Sequence, residues 1–145
     1  MIPQDEIKYD VSPATPADVD IIDTKLNEFN KKHYAYKGDQ YVLPKNYIIK
    51  DGNEIIAGIN SCLYLEEVLH VRTLFVDEKY RHKGIGSSLL KQIEEEARAM
   101  GAKVARLDTL DFQALDFYLK HGYEIWGILE DCPKSHKRYC LKKSL

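Results

Sequence analysis

The chain has 145 residues, of which 44% are apolar and 30% charged, and its formal net charge is −2 at pH 7. This is the composition of an ordinary globular protein, and its slight acidity gives no general attraction to nucleic acid or to anionic membranes. We therefore expect no nucleic-acid partner and no membrane partner. The length suits a single domain spanning residues 1–145, because one hydrophobic core can serve a chain of this size.

Neither a signal peptide nor a membrane-spanning segment is recognisable, because no basic start precedes an apolar run and no apolar run approaches about 20 residues. Cys62, Cys132 and Cys140 are an odd number of cysteines without metal-type spacing. They predict reduced thiols, no metal site and a cytoplasmic protein.

The N-terminal part predicts a helix followed by a hairpin. Residues 7–11 could form a short edge strand. Thr15 then precedes Pro16 as a helix cap, and apolar residues at helical spacing continue to about Lys32. Residues 46–50 and 54–65 favour strands joined by a turn at 51–53, and Gly58 predicts a bend or bulge in the second strand.

The centre of the chain predicts a strand, a glycine-containing turn and an amphipathic helix. The strand covers residues 68–76, and Gly84 and Gly86 open the helix. Apolar residues recur at three-and-four spacing from Ile85 to Met100, and Gly101 follows as a helix stop. Because the first N–H groups of a helix lack partners and carry its positive dipole, this turn predicts a phosphate or pyrophosphate site.

The remaining residues alternate between strand and helix patterns. A strand is expected at 104–107, a short helix at 114–121, a strand at 123–129, a loop at 130–135 and a last strand at 136–142. This order predicts an α/β fold, with a mixed sheet and helices on both faces.

Two motifs resemble those of the GNAT superfamily, the Gcn5-related N-acetyltransferases. The sequence Arg81-His82-Lys83-Gly84-Ile85-Gly86 is similar to that family's Arg/Gln-x-x-Gly-x-Gly/Ala turn. Residues 111–123 are similar to its Asn-x-x-Ala-x-x-x-Tyr stretch, with Asp111 in place of the usual Asn. Residues 129–139 resemble a group of small bacterial members. The resemblance implies the GNAT fold, a mixed, mostly antiparallel twisted sheet flanked by helices on both faces.

The resemblance also implies acetyl-coenzyme A (acetyl-CoA) as cosubstrate, with its pyrophosphate on the N–H groups of the turn. In the family the strand before the turn diverges from the next strand, and its free backbone groups bind the pantetheine arm like an added strand. Tyr118 occupies the position of the general acid for the leaving thiolate. The residues implied in coenzyme binding are Leu74, Phe75, Val76, Arg81, His82, Lys83, Gly84, Ile85, Gly86, Ser87, Asp111, Ala114, Phe117 and Tyr118.

The family's usual general base is a carboxylate fourteen residues before the first glycine of the turn, a position that His70 holds here. An imidazole with a pKa near 6.5 suits a base at neutral pH. A structural role for His70 stays open, as does a base role for Glu66 or Glu67 acting through water.

The expected acceptor is a primary amine of a small molecule or of a protein. Glu130 and Asp131 lie in a loop that borders the acceptor pocket in related folds, where they would attract a cationic amine; a solvated turn is the alternative. A non-catalytic acyl-CoA binding or sensing module is the alternative function. RNA binding through the basic C-terminal residues is a third possibility, and a homodimer stays open. The basic residues are Lys134, Lys137, Arg138, Lys142 and Lys143.

Overall fold

The computed structural model describes residues 8–35 and 41–145, which fall into two units. The first unit contains helix α1, Pro16–His33. Thr15 caps it with a reciprocal pair of bonds, because its hydroxyl accepts from the Asp18 N–H at 3.2 Å and the Asp18 carboxylate accepts from the Thr15 N–H at 2.9 Å. The predicted helix is confirmed.

The predicted edge strand at 7–11 is wrong over residues 8–11, and Ile7 lies outside the described residues. No strand of the described chain pairs with residues 8–11, and an extended segment without a ladder partner is not a stable strand.

The second unit is a six-stranded sheet with the order β1-β2-β3-β4-β6-β5. Only the pair β3–β4 is parallel; the other pairs are antiparallel. The mixed sheet predicted from the order of elements is confirmed, as is its mostly antiparallel pairing, which the resemblance implies. The strands are β1 (Val42–Asp51), β2 (Glu54–Tyr64), β3 (Val68–Val76), β4 (Val104–Leu110), β5 (Glu124–Leu129) and β6 (Arg138–Ser144).

Helices α2 (Ile85–Ala99) and α3 (Leu115–Lys120) lie on one face of this sheet. The apolar stripe of α2 is completely buried at Leu90 and Ile93 and packs on alternate residues of the central strands. Those strand residues are Leu63, Leu69, Val71, Ala105, Leu107 and Leu141. Their burial fixes which side chains of each strand face α2, so the intervening side chains lie on the opposite face.

A buried polar cluster ties α2 to the C-terminal strands. Glu94 is 3% exposed, and its carboxylate accepts from the Lys143 Nζ atom at 2.8 Å and from the Tyr123 hydroxyl at 2.8 Å. The pKa of Tyr123 is raised, first by burial and then by this carboxylate. With both partners present, the buried charge is satisfied rather than stranded.

Gly58 is explained by a close approach rather than by a bulge at its own position. A Cβ atom there would lie 3.1 Å from the Tyr47 carbonyl oxygen of β1. The register shifts occur on either side of it, at Ile49/Lys50 in the β1–β2 ladder and at Asn60/Ser61 in the β2–β3 ladder. The second shift leaves Arg72 of β3 without an opposite residue in β2.

The sheet opens between β3 and β4. These strands pair only from Val68 to His70 and from Val104 to Arg106, although β3 continues to Val76 and β4 to Leu110. A cleft between two diverging strands results, with His70 and Arg106 at its closed end.

Candidate functional site

The turn after β3 has backbone geometry suited to an anion. A single 3₁₀ turn, Glu78–Tyr80, follows the strand, and the Asp77 carboxylate caps it by accepting from the Lys79 N–H at 3.0 Å. His82 (φ 63°) and Gly84 (φ 81°) then adopt left-handed conformations just before α2 begins. Left-handed residues just before a helix are a feature of anion-binding nests, in which neighbouring N–H groups point to one spot. We call residues 82–84 the nest.

The start of α2 adds its own unpaired N–H groups to this nest. Gly84 is the N-cap residue and supplies no side-chain cap. A Cβ atom at Gly86 would lie 3.5 Å from the Phe117 ring and 3.6 Å from Cγ2 of Val76. Gly86 therefore faces the space between the end of β3 and α3, and a larger side chain there would fill it.

Backbone groups at the end of β3 that do not pair with β2 face the cleft. The Asp77 N–H bonds the Ile56 carbonyl oxygen of β2 at 2.7 Å, so the Val76 carbonyl oxygen, at the other end of the same peptide group, points away from β2. The Val76 carbonyl oxygen instead accepts from the Arg81 Nε atom at 2.9 Å. Arg81 thus folds back from the turn onto the strand, which places its guanidinium group beside the cleft.

Helix α3 closes the other side of the turn through His121. The His121 Nδ1 atom lies 2.7 Å from the Phe117 carbonyl oxygen, and Nε2 lies 2.9 Å from the Ser87 hydroxyl. Because a carbonyl oxygen can only accept, Nδ1 carries a proton, and in a neutral ring Nε2 accepts from Ser87. His121 was not among the residues expected in the site, although it holds the hydroxyl of Ser87, which was.

Tyr118 lies on the buried side of α3 and is 6% exposed. Its ring makes edge contacts with Phe117 and Tyr123, at centroid distances of 5.1 and 5.7 Å. Burial raises the pKa of Tyr118 to about 12, so its hydroxyl keeps its proton at neutral pH. A general acid needs that protonation state.

His70 lies at the closed end of the cleft, on the sheet face opposite α2. Its ring stacks on Tyr64 at a centroid distance of 6.0 Å. Its Nδ1 atom is buried and has no hydrogen-bond partner among the described residues. Burial, followed by the charges of Arg106 and Arg72, lowers the pKa of His70 below 6.5, so the imidazole is neutral at pH 7 and able to accept a proton.

The other proposed bases lie elsewhere. Glu66 and Glu67 form the turn before β3, where the Glu67 carbonyl oxygen accepts from the Lys103 N–H at 2.8 Å. They therefore lie at the start of the paired segment of β3 and β4, whereas the cleft begins at its end.

Asp111 organises the loop before β6. Its carboxylate accepts from the Lys137 N–H at 2.9 Å and is 2.9 Å from Nδ1 of His136. The Lys137 N–H, followed by weaker effects that include His136, holds the pKa of Asp111 below its usual value. Both carboxylate oxygens are engaged in holding this loop, so a contact with the pantetheine arm stays a prediction.

Glu130 and Asp131 are exposed in that loop. The Glu130 Oε1 atom lies 3.9 Å from Nζ of Lys137, and Asp131 Oδ1 accepts from the Ser135 N–H at 3.1 Å. Several C-terminal cations are paired as well: Lys142 with Glu124 at 3.9 Å and Lys143 with Glu94 at 2.8 Å. Cations already paired with carboxylates do not form the unopposed basic patch that is typical of RNA binding.

Cys62, Cys132 and Cys140 are free thiols. Within residues 8–35 and 41–145, no cluster of three or more His, Cys, Asp or Glu side chains is placed to hold a metal ion. None of the helices in these two ranges combines the length and apolarity needed to cross a membrane.

The decisive comparison is with the Acetyltransferase (GNAT) family, whose model matches residues 14–123. The chain belongs to this family. A crystal structure of an acetyltransferase from Bacillus cereus superposes with a TM-score of 0.81 and 33% identity, covering 94% of this chain and 98% of that one. The expected GNAT fold is therefore confirmed.

Curated relatives match over shorter stretches. A blasticidin-S acetyltransferase from Streptomyces morookaense is 37% identical over 78 residues, which are 53% of this chain and 57% of that protein. An acetyltransferase from Agrobacterium fabrum is 43% identical over 61 residues, 42% of this chain and 44% of that protein. The chain thus spans about half the length of the curated relatives it matches.

The residues that sequence reasoning missed lie on the sheet face that carries His70. Arg72, Arg106, Asp108 and Arg138 come from three strands. Polar residues at alternate positions of β4, between buried apolar ones, were the only signal in the sequence. That signal does not reveal which strands lie beside each other.

Proposed function

We propose that this protein is an acetyl-CoA-dependent N-acetyltransferase, an acyltransferase of the EC 2.3.1 type, that acetylates a primary amine of a small molecule or a protein. The observation that carries the proposal is the cleft between β3 and β4, with an anion nest at its open end and His70 at its closed end. We further propose that residues 1–145 act as one acetyltransferase domain, and a cytoplasmic location stays a prediction.

The residues present fit the coenzyme. The nest at His82–Gly84 and the N–H groups of α2 suit a pyrophosphate, and Arg81 can add charge-assisted bonds. The peptide groups of Leu74 that do not pair with β2 suit a pantetheine arm that adds to the strand edge, beside the Val76 carbonyl oxygen that Arg81 holds. When bound, acetyl-CoA supplies the thioester whose acetyl group is transferred.

The amine must lose a proton before it can attack. A lysine-like amine has a pKa of about 10.4, so its neutral form costs roughly 4–5 kcal/mol at pH 7. The neutral imidazole of His70 can accept that proton, directly or through one water. Its buried Nδ1 atom lacks a partner in the described chain, which supports a site awaiting a polar group rather than a satisfied structural histidine.

The departing thiolate needs a proton at the end of the reaction. Tyr118 is protonated at neutral pH, although burial raises its pKa to about 12 and so makes it a weaker acid than an ordinary tyrosine. Donation to a thiolate is unfavourable for the free phenol but becomes productive when the leaving group and the hydroxyl are held together. In this proposal Tyr118 is the acid and His70 the base.

The test is release of free thiol from acetyl-CoA in the presence of a panel of amines, with calorimetry of acetyl-CoA binding alongside. Thiol release that requires both an amine and an intact His70 would support the proposal. Coenzyme binding without amine-dependent release would favour the alternative, a non-catalytic acyl-CoA binding or sensing module. A protein that does not bind acetyl-CoA would contradict both.

A further inference from the structure

The sheet face opposite α2 carries an excess of positive charge, which runs from Arg106 at the closed end of the cleft to Arg138, level with the end of β4. Leu69, Ala105 and Leu107 face α2, so the alternate residues of the same strands, His70, Arg106 and Asp108, lie on the other face. On β6 the register pairs Asp108 with Cys140 and Leu110 with Arg138, which places Arg138 on this face as well. We call this surface, made of His70, Arg72, Arg106, Asp108 and Arg138, the arginine face.

Arg72 reaches the arginine face from the bulged part of β3. One of its terminal nitrogens donates to the Tyr64 hydroxyl at 3.1 Å, and the Tyr64 ring stacks on His70. Three guanidinium groups therefore accompany one carboxylate, Asp108. The nearby Lys142 is already paired with Glu124 at 3.9 Å.

None of the three guanidinium groups forms a salt bridge within the described chain. Two of them nevertheless act on His70, because the charges of Arg106 and Arg72 both contribute to its lowered pKa. A bare ammonium group would be repelled here. An oxyanion would be attracted, and the planar guanidinium fork matches carboxylate and phosphate oxygens.

Building on the acetyltransferase activity proposed above, we infer that the acceptor carries an oxyanion, a carboxylate or a phosphate, near the amine that it presents, and that Arg106 and Arg138 bind this group. His70 and Arg106 form the last pair before the strands diverge. A coenzyme with its phosphates at the far, open end of the cleft would direct its thioester toward these two residues. The group that Arg106 meets beside the thioester therefore belongs to the acceptor.

This inference is compatible with attraction of the acceptor's ammonium group by Glu130 and Asp131. The loop that holds them leads directly into β6, where Arg138 is the first residue. Opposite charges at the two sides of one site suit an acceptor with both an amine and an acidic group. A polyamine could pair with the carboxylates of the loop, but it has no acidic group for the guanidinium groups of the arginine face.

The test uses amines in matched pairs that differ only in the acidic group: phenylalanine with phenethylamine, lysine with cadaverine, and phosphoethanolamine with ethanolamine. Turnover is followed by thiol release at pH 8, where His70 is neutral in every variant. We expect kcat/KM to favour the acidic member of at least one pair by tenfold or more. A preference within the carboxylate pairs would identify the oxyanion as a carboxylate, and a preference within the phosphate pair would identify it as a phosphate.

Arg106→Gln and Arg138→Gln should then each raise KM for the preferred acidic member about tenfold or more, since a hydrogen bond to a charged group is lost. The change for its uncharged partner should be much smaller. Arg106→Lys should recover part of the loss, because charge is kept while the fork is lost. Arg98→Gln, the same change on the exposed end of α2, is the matched control.

If the amine without the acidic group is the better substrate in every pair, or if no acidic member is turned over, the inference is overturned. It is also overturned if Arg106→Gln and Arg138→Gln change KM equally for both members of a pair. Calorimetry with acetyl-CoA alone distinguishes this failure from failure of the proposed function, since Arg106 lies at the closed end of the cleft and the nest at its open end.

Discussion

The turn at residues 77–87 and the arginine face are built in opposite ways. Every group of the turn comes from one continuous segment, and its shape depends on local backbone features such as the left-handed conformations of His82 and Gly84. The arginine face instead draws on three strands that are distant in sequence and adjacent only because of the order β3-β4-β6. In our proposal the turn binds the coenzyme phosphates through its backbone, whereas the face, made of side chains, recognises the acceptor.

The difference predicts a division of labour: changes in the turn should affect coenzyme binding, and changes near the closed end of the cleft should affect turnover or the choice of acceptor. The variants below test that division, beginning with the largest expected effect.

His70→Gln should lower kcat about a hundredfold to a thousandfold, the usual contribution of a general base. The dissociation constant for acetyl-CoA should stay nearly unchanged, because His70 lies away from the turn. In the parent protein the acid limb of the kcat/KM profile should lie below pH 6.5, since the pKa of His70 is lowered and activity is lost only as pH falls through it. Stopped-time thiol assays across pH measure both quantities.

Glu67→Gln is the matched comparison for the base. Because Glu67 precedes the paired segment of β3, kcat should change less than twofold. If Glu67→Gln loses most of its kcat while His70→Gln stays active, the base is Glu67 and not His70, and the role proposed for the closed end of the cleft is wrong.

Tyr118→Phe should lower kcat about tenfold to a hundredfold with little change in coenzyme affinity, because only an interaction made in the transition state is removed. Tyr123→Phe is the contrasting variant. It removes the bond to the buried Glu94 carboxylate and should cost about 1–3 kcal/mol of unfolding free energy while kcat is kept. If Tyr118→Phe and the parent protein turn over at the same rate, Tyr118 is a core residue and not the general acid.

Gly86→Val should weaken acetyl-CoA binding about tenfold, measured by calorimetry, because the added side chain enters the space between Val76 and Phe117. Gly127→Ala in β5 is the control, since a Cβ atom there would make an ordinary contact of 3.7 Å with Cys140. If a folded Gly86→Val protein binds acetyl-CoA with unchanged affinity, the turn is not part of the coenzyme site.

Glu130→Gln combined with Asp131→Asn should raise KM several-fold for a cationic amine at low salt and leave kcat nearly unchanged. Attraction at an exposed carboxylate is worth about 1 kcal/mol or less, and it should fade as salt shortens the Debye length below about 8 Å. If the double variant has the same KM as the parent protein at low salt, the loop is a solvated turn that does not bind the acceptor.

The sequence by itself determined α1, α2, β3 and the glycine-containing turn between β3 and α2. Thr15 and Pro16 predicted the start of α1, the spacing from Ile85 to Met100 predicted α2, and β3 was predicted with its observed bounds. These features depend on interactions between near neighbours in the chain, such as capping, left-handed glycines and one apolar helix face. The motif containing Gly84 and Gly86 could be recognised for the same reason.

Only the tertiary structure decided what surrounds His70. Strand divergence after three pairs, the bulge at Arg72 and the placement of β6 between β4 and β5 result from long-range pairing and from packing against α2. No local pattern encodes which strand lies beside which. The positive charge of the arginine face and the lowered pKa of His70 therefore became visible only when Arg72 and Arg106 were brought to the same end of the cleft.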